Sequence, residues 1–283
     1  MTLANELKTQ PGGTLSNPLR RCAVTVAAAL ATLARRARFH PRQPWLEPRK
    51  FAFAAAATVA VFVLVLVFID APAIEAARRL PRWLISAFDW YTDFGKSGWF
   101  LWPLGILFLA LAALPRNLTR VSQGVMAAMM TRVGFLFVAI GLPSLFASLV
   151  KNMIGRARPF VGGVANPYLF DPFHWIPAYA SLPSGHATTA FAVLAAFGTL
   201  WPRARTVLLV YALLIAASRV VVTAHHPTDV LAGALVGFVG VWLVRRYFAL
   251  RGLAFSVAPD GILRQKPGPS LKRIKSVARA LLA

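Results

Sequence analysis

Residues 51–69 run for nineteen positions without a charge, about the length a helix needs to cross a hydrocarbon core roughly 30 Å thick. Five further apolar runs follow at 99–114, 125–150, 187–201, 206–222 and 230–242, the last extending to about 248; Arg132 is the one charge inside the third. A soluble α/β core would show apolar runs of roughly 4–8 residues between turn signals. The pattern predicts an all-α polytopic membrane protein, a bundle of six transmembrane helices. Composition agrees: 58% of residues are hydrophobic and 14% charged, against about 25% charged in ordinary soluble domains. Disorder is excluded by the hydrophobicity, and a disulfide-stapled module by the single Cys22.

The formal charge of +22 suggests nucleic acid until its placement is considered. Nine basic residues precede position 51 and nine follow 244. With the loops 115–124 and 202–205, one side of a six-span layout carries 22 basic residues and the other eight. The positive-inside rule puts the richer side, with both termini, in the cytoplasm. Polybasic ends beside a membrane attract anionic lipid heads, so no nucleic-acid partner is expected. The organisation expected is a basic cytoplasmic segment over 1–50, a six-span domain over 51–248 and a basic cytoplasmic tail over 249–283. Arg20–Arg21 and the short apolar stretch after it resemble a twin-arginine signal. A cytoplasmic or surface-lying amphipathic helix fits that stretch better, because the apolar core is short and runs into Arg35, Arg36 and Arg38.

Polar residues gather where the third span ends, where the fourth begins, and across the fifth-to-sixth connection. In this topology all three places lie at the outer ends of the helices, which points to one active site there. Lys151, Arg158 and Arg219 have no acidic residue within a few positions. Arginine offers a planar fork to phosphate oxygens, and lysine a point charge. Pro183-Ser184-Gly185-His186 at a helix start adds free backbone N–H groups and the positive end of a helix dipole. Together these make an anion cradle. His225 and Asp229 stand four apart, on one face if helical, so Asp229 accepting Nδ1–H would leave Nε2 free to attack. His186, beside the cradle, is placed to protonate a leaving alkoxide.

Lys151-x6-Arg158-Pro159, Pro183-Ser184-Gly185-His186 and Ser218-Arg219-x5-His225-x3-Asp229 resemble the three-part signature of the type 2 phosphatidic acid phosphatase superfamily, in its integral-membrane lipid phosphate phosphatase branch. The resemblance implies that His225 is a nucleophile forming a phosphohistidine, Asp229 its orienting partner and His186 the general acid. Lys151, Arg158, Ser184, Gly185 and Arg219 would hold the phosphate. It implies no metal and no cofactor, and as partners a lipid phosphate substrate and the surrounding membrane lipids. The expected activity is hydrolysis of a lipid phosphate monoester or diphosphate: phosphatidic acid, phosphatidylglycerol phosphate, undecaprenyl diphosphate or a lipid A phosphate. If the source is bacterial, the site is periplasmic and the protein sits in the inner membrane. A lipid-to-lipid phosphotransferase with the same site, a vanadate-dependent oxidase and, from another class, a membrane transporter are the alternatives; no inverted repeat supports the last.

Outside the signature, bland readings are expected. Arg132, Arg156 and His174 read as structural, paired to backbone or snorkelling. A zinc site from His186, His225, His226 and Asp229 is opposed by the neighbouring cations. Asp70, Glu75, Asp89 and Asp93 read as a solvated face. Gly233, Gly237 and Gly240 read as helix-packing positions. The aromatic loop 160–181 reads equally as a lid or chain-guiding wall and as an interfacial anchor.

Overall fold

The computed structural model describes residues 17–37, 47–114, 119–258 and 261–282. Ten α-helices are seen among them: α1 (Pro18–Ala34), α2 (Pro48–Phe68), α3 (Asp70–Arg78), α4 (Arg82–Thr92), α5 (Gly98–Ala113), α6 (Arg120–Ile154), α7 (Gly185–Leu200), α8 (Arg205–Val221), α9 (Pro227–Leu250) and α10 (Leu271–Leu282). Strands β1 (Phe255–Val257) and β2 (Leu263–Gln265) pair antiparallel between α9 and α10, the one sheet among the described residues.

Each of the six apolar runs forms a helix. Five stretches, 48–68, 82–113, 120–154, 202–221 and 227–250, are long and apolar enough to cross a membrane. The sixth, α7, has 16 residues and so spans only about 24 Å. It can be short because lipid hardly touches it: Ala187, Ala190, Ala192, Val193 and Ala196 are all at or below 1% exposure, enclosed by α6, α8 and α9. A helix apolar on every face is a buried helix. By contrast α2 has no buried residue, and its exposed Phe53, Val59, Leu64 and Phe68 are suited to lipid.

The glycines set how closely α9 approaches α7. A Cβ on Gly233 would stand 2.5 Å from the Ser184 carbonyl oxygen, one on Gly237 2.7 Å from that of Thr188, and one on Gly240 2.4 Å from Pro143 Cγ of α6. Small residues here permit backbone contact.

Alternation of direction puts the starts of α7 and α9 and the ends of α6 and α8 at one pole of the bundle, with α3 and α4 between α2 and α5. Trp83, Trp90 and Trp99 are 71, 70 and 58% exposed on that side, as expected of an interfacial belt. At the other pole α1 lies across the bundle. Arg21 Nε donates to the Ala113 carbonyl at 3.0 Å, and Tyr247 Oη donates to that of Leu33 at 2.6 Å. The segment after 248, expected as a tail, folds back onto the bundle. Phe255 is fully buried against Phe135, ring centroids 4.8 Å apart, and Val277 of α10 packs on Val125 and Met126.

Candidate active site

The α6 helix stops at Gly155, whose φ of 64° is left-handed. A Cβ there would fall 1.9 Å from the Asp171 carbonyl oxygen, so only glycine serves. Beyond it the chain folds on itself. Arg158 N–H donates to Ala178 O at 2.8 Å, and Ser181 N–H to Arg156 O at 3.1 Å. This brings the Ser181–Ser184 stretch beneath the end of α6. Ser184 N–H then donates to Asp229 O at 2.9 Å, which ties the start of α7 to the first turn of α9.

His225 and Asp229 meet, though not on one helical face. His225 lies in the turn before α9, and Asp229 is the third residue of that helix, its Oδ2 accepting from the His226 N–H at 2.9 Å. The direct approach of His225 Nδ1 to Oδ2 is 3.7 Å, beyond hydrogen-bond length. Ser181 Oγ stands between them, 3.3 Å from Nδ1 and donating to Oδ2 at 2.6 Å. Burial pushes the His225 imidazole down to about 4, with the Asp229 charge opposing. At neutral pH the ring is therefore uncharged, as a nucleophile must be. His226 is the N-cap of α9.

Around this pair stand the other signature residues. Arg158 and Arg219 both lie within electrostatic reach of His225, and Lys151 within reach of Arg158. Arg219 Nη1 donates to Thr92 Oγ1 at 2.7 Å. Ser184 is fully buried at the N-cap of α7 yet makes no side-chain cap bond, unlike an ordinary capping serine. Its Oγ has no partner, and neither have the buried Nε atoms of Arg158 and Arg219. Buried donors without acceptors are costly, and an anion is the kind of ligand that would satisfy all three. A Cβ added at Gly185 would meet nothing within 4 Å, which leaves the backbone N–H groups of the first turn approachable. His186 in that turn packs against Gly95, within electrostatic reach of His225 and Arg219.

The expectation that Asp70 belongs to a solvated face is overturned. Asp70 is fully buried. Its Oδ2 accepts from Arg156 Nη2 at 2.7 Å, and its Oδ1 from the Thr228 N–H at 2.9 Å. Arg156, 1% exposed, also donates from Nη1 to Asp229 Oδ1 and to Thr228 Oγ1, each at 2.6 Å, and from Nε to Pro167 O. It pairs with a backbone carbonyl, as expected, but it does not snorkel: it bridges two carboxylates and holds Asp229 by Oδ1, not by the Oδ2 that faces His225. Arg156, Asp70, Thr92, Ser181 and Thr228 escape sequence reasoning, because these partners lie 44 to 158 positions apart. The one available signal was a basic residue at a span end with no acid nearby.

The remaining expectations resolve simply. Arg132 donates to the carbonyls of Ala128, Lys266 and Pro267. His174 contacts Asp171 through Nδ1 and stacks on Tyr179. Glu75 is half-buried, while Asp89 and Asp93 are exposed. Tyr168, Phe173 and Trp175 of the aromatic loop are 57–63% exposed. Among the described residues no group of three or more His, Cys, Asp or Glu is placed to hold a metal.

Comparison with known proteins gives consistent matches. The family model described as the PAP2 superfamily matches residues 132–253. A lipid A 1-phosphatase of Rhizobium johnstonii is 37% identical over 171 residues, covering 60% of this chain and 70% of its own. A lipid A 1-phosphatase of Rhizobium etli is 37% identical over 171 residues, covering 60% and 74%. Among solved structures, Aquifex aeolicus LpxE superposes with a TM-score of 0.46 at 21% identity, covering 63% of this chain and 96% of that one.

Proposed function

The chain belongs to the PAP2 superfamily, and from this premise we propose how a membrane lipid phosphatase of its sequence carries out phosphate release and on which lipid. Neutral His225 attacks phosphorus through Nε2, with Nδ1–H held toward Ser181 and Asp229. The bond from phosphorus to the lipid oxygen breaks, and that oxygen takes a proton from His186. Water then attacks the phosphohistidine while His186 accepts its proton, the P–N bond breaks, and phosphate leaves. Lys151, Arg158, Arg219, the Ser184 hydroxyl and the N–H groups at Gly185 hold the phosphoryl oxygens as charge develops on them. The observation that carries this reading is the set of buried, unpartnered donors on Arg158, Ser184 and Arg219, gathered around a buried histidine that burial keeps neutral.

The preferred substrate is the 1-phosphate of a lipid A, on the strength of the two rhizobial relatives. A cavity of about 470 Å³ is lined by Arg78, Ile85, Phe160 and Thr223 among others; Phe160 and Thr223 stand two positions in sequence from Arg158 and His225. It offers apolar wall and a cation to the part of the lipid next to the scissile phosphate. The site pole faces outward, periplasmic in a bacterial inner membrane, because the opposite pole carries the larger share of basic residues. Residues 51–248 hold all of the proposed machinery.

The test is inorganic phosphate release by detergent-purified protein from lipid A 1-phosphate, phosphatidic acid, phosphatidylglycerol phosphate and undecaprenyl diphosphate, with chelator present. Chelator-resistant release, highest with lipid A and reduced to background in His225→Ala, is the expected result. Highest release from another lipid corrects the substrate alone. No release from any of them by folded protein moves the reading to phosphotransfer or transport.

A further inference from the structure

At the pole opposite the catalytic site, α7, α8 and α9 diverge around a cavity of about 450 Å³. Its walls include Leu194, Leu209, Phe238 and Trp242, and its rim includes Arg205 and Arg245. Leu209, Phe238 and Trp242 are 43, 43 and 39% exposed on apolar helices, so the cavity opens sideways toward lipid. Both arginines spend part of their guanidinium on backbone. Arg205 Nε donates to Gly198 O at 2.8 Å, and Arg245 Nη2 to Leu263 O at 2.5 Å. Neither forms an ion pair with a carboxylate among the described residues, and Arg245 Nε is buried without a partner. Arg245 also lies over the Phe255 ring, 5.5 Å from its centroid, but an apolar cleft under two cations without a carboxylate partner at a helix-bundle pole matches a phospholipid in both parts: chain below, phosphate above.

We propose that this cleft is a second lipid site, distinct from the catalytic one, which binds an anionic phospholipid of the opposite leaflet with its phosphate between Arg205 and Arg245. The two sites cannot share a molecule's phosphate. Gly198, at the cleft, follows Gly185, at the catalytic cradle, by most of the length of α7, about 20 Å along the helix. The bound lipid holds the α7–α8 turn against the end of α9, where the β1–β2 hairpin also docks through Leu263.

Native mass spectrometry of the full chain in detergent tests the proposal, with phosphatidylglycerol, phosphatidylcholine and inorganic phosphate as probes. The wild type is expected to retain phosphatidylglycerol over phosphatidylcholine by about 10- to 30-fold, the size of two surface cations' attraction, and any inorganic phosphate it retains is expected to be lost in Arg219→Gln, at the catalytic cradle, and kept when Arg205 and Arg245 are replaced. Arg205→Gln with Arg245→Gln removes the preference, whereas Arg219→Gln, at the catalytic pole, keeps it. Leu209→Trp fills the cleft without touching either charge; it lowers retention of phosphatidylglycerol and supplies the test if the double variant does not fold. Equal retention of both lipids by the wild type, or an unchanged preference in the double variant or in Leu209→Trp, overturns the proposal. Loss of the preference in Arg219→Gln reassigns the lipid to the catalytic cradle, and retention of inorganic phosphate that survives Arg219→Gln but is lost in Arg205→Gln with Arg245→Gln replaces a lipid site with a free-anion site.

Discussion

His225 is held uncharged by its surroundings, and that has a measurable consequence. Its conjugate acid is pushed down to about 4 by burial, so the ring is neutral above that pH and protonated below it. With its lone pair blocked, a protonated ring cannot attack phosphorus. The acid limb of phosphohistidine formation, followed by single-turnover trapping with the same lipid at each pH, is therefore expected near pH 4. A limb near 6.5, the ordinary imidazole value, would mean the ring is solvated in the working enzyme. Arg156 gives a second prediction. Arg156→Leu leaves Asp70 and Asp229 as uncompensated buried charges, a loss of about 3–5 kcal/mol. Phosphate release should fall as well, because Asp229 loses one of its restraints. A melting temperature within error of wild type would show that the pair is not holding the fold. The signature residues were legible one by one from their spacing, but the helical-face reading of His225 and Asp229 was not how they meet. The link runs through Ser181, which no local pattern picks out.

At the scale of the element, the α7–α9 contact decides whether the site assembles. Backbone atoms of Thr188 and Ala192 would lie 2.7 and 2.9 Å from a Cβ on Gly237, and backbone cannot step aside as a flexible side chain can. Gly237→Ala is expected to cost about 1–3 kcal/mol as an overpacked position. It should also lower phosphate release, since α9 carries Asp229 and its carbonyl anchors Ser184. The contrast is Gly124→Ala, on an exposed turn of α6 with nothing within 4 Å. That change is expected to be neutral or to stabilise by up to about 1 kcal/mol. Thermal unfolding of the two variants side by side separates packing from propensity. These glycines were readable as packing positions from their spacing. The shortness of α7 was readable only as a shorter run; its meaning came from the three helices that surround it.

For the whole molecule, orientation is the property most open to test. Replacing Cys22 with serine removes the single cysteine, after which Trp175→Cys reports the catalytic pole and Lys275→Cys the opposite one, both positions being exposed. In intact bacterial cells with a permeable outer membrane, an impermeant maleimide is expected to label position 175 directly and position 275 only after the inner membrane is opened. The reverse pattern would place the site on the cytoplasmic side. The same pole also gathers α1, the hairpin and α10 into contact with the bundle, so the basic residues of those elements are carried on folded structure.

The sequence by itself determined that the chain enters a membrane as an apolar helical bundle, and which eight residues form the proposed site. Apolar run length and short-range spacing are local properties, and a bilayer leaves a chain few ways to satisfy its backbone. Only the tertiary structure decided what those residues rest on. The Asp70–Arg156–Asp229 bridge, the Ser181 relay and the Thr92 contact to Arg219 join groups far apart in sequence, and the burial that neutralises His225 comes from the whole bundle. Such pairings depend on which helices touch, and that depends on side-chain volumes meeting across space, which the order of residues along one helix does not state.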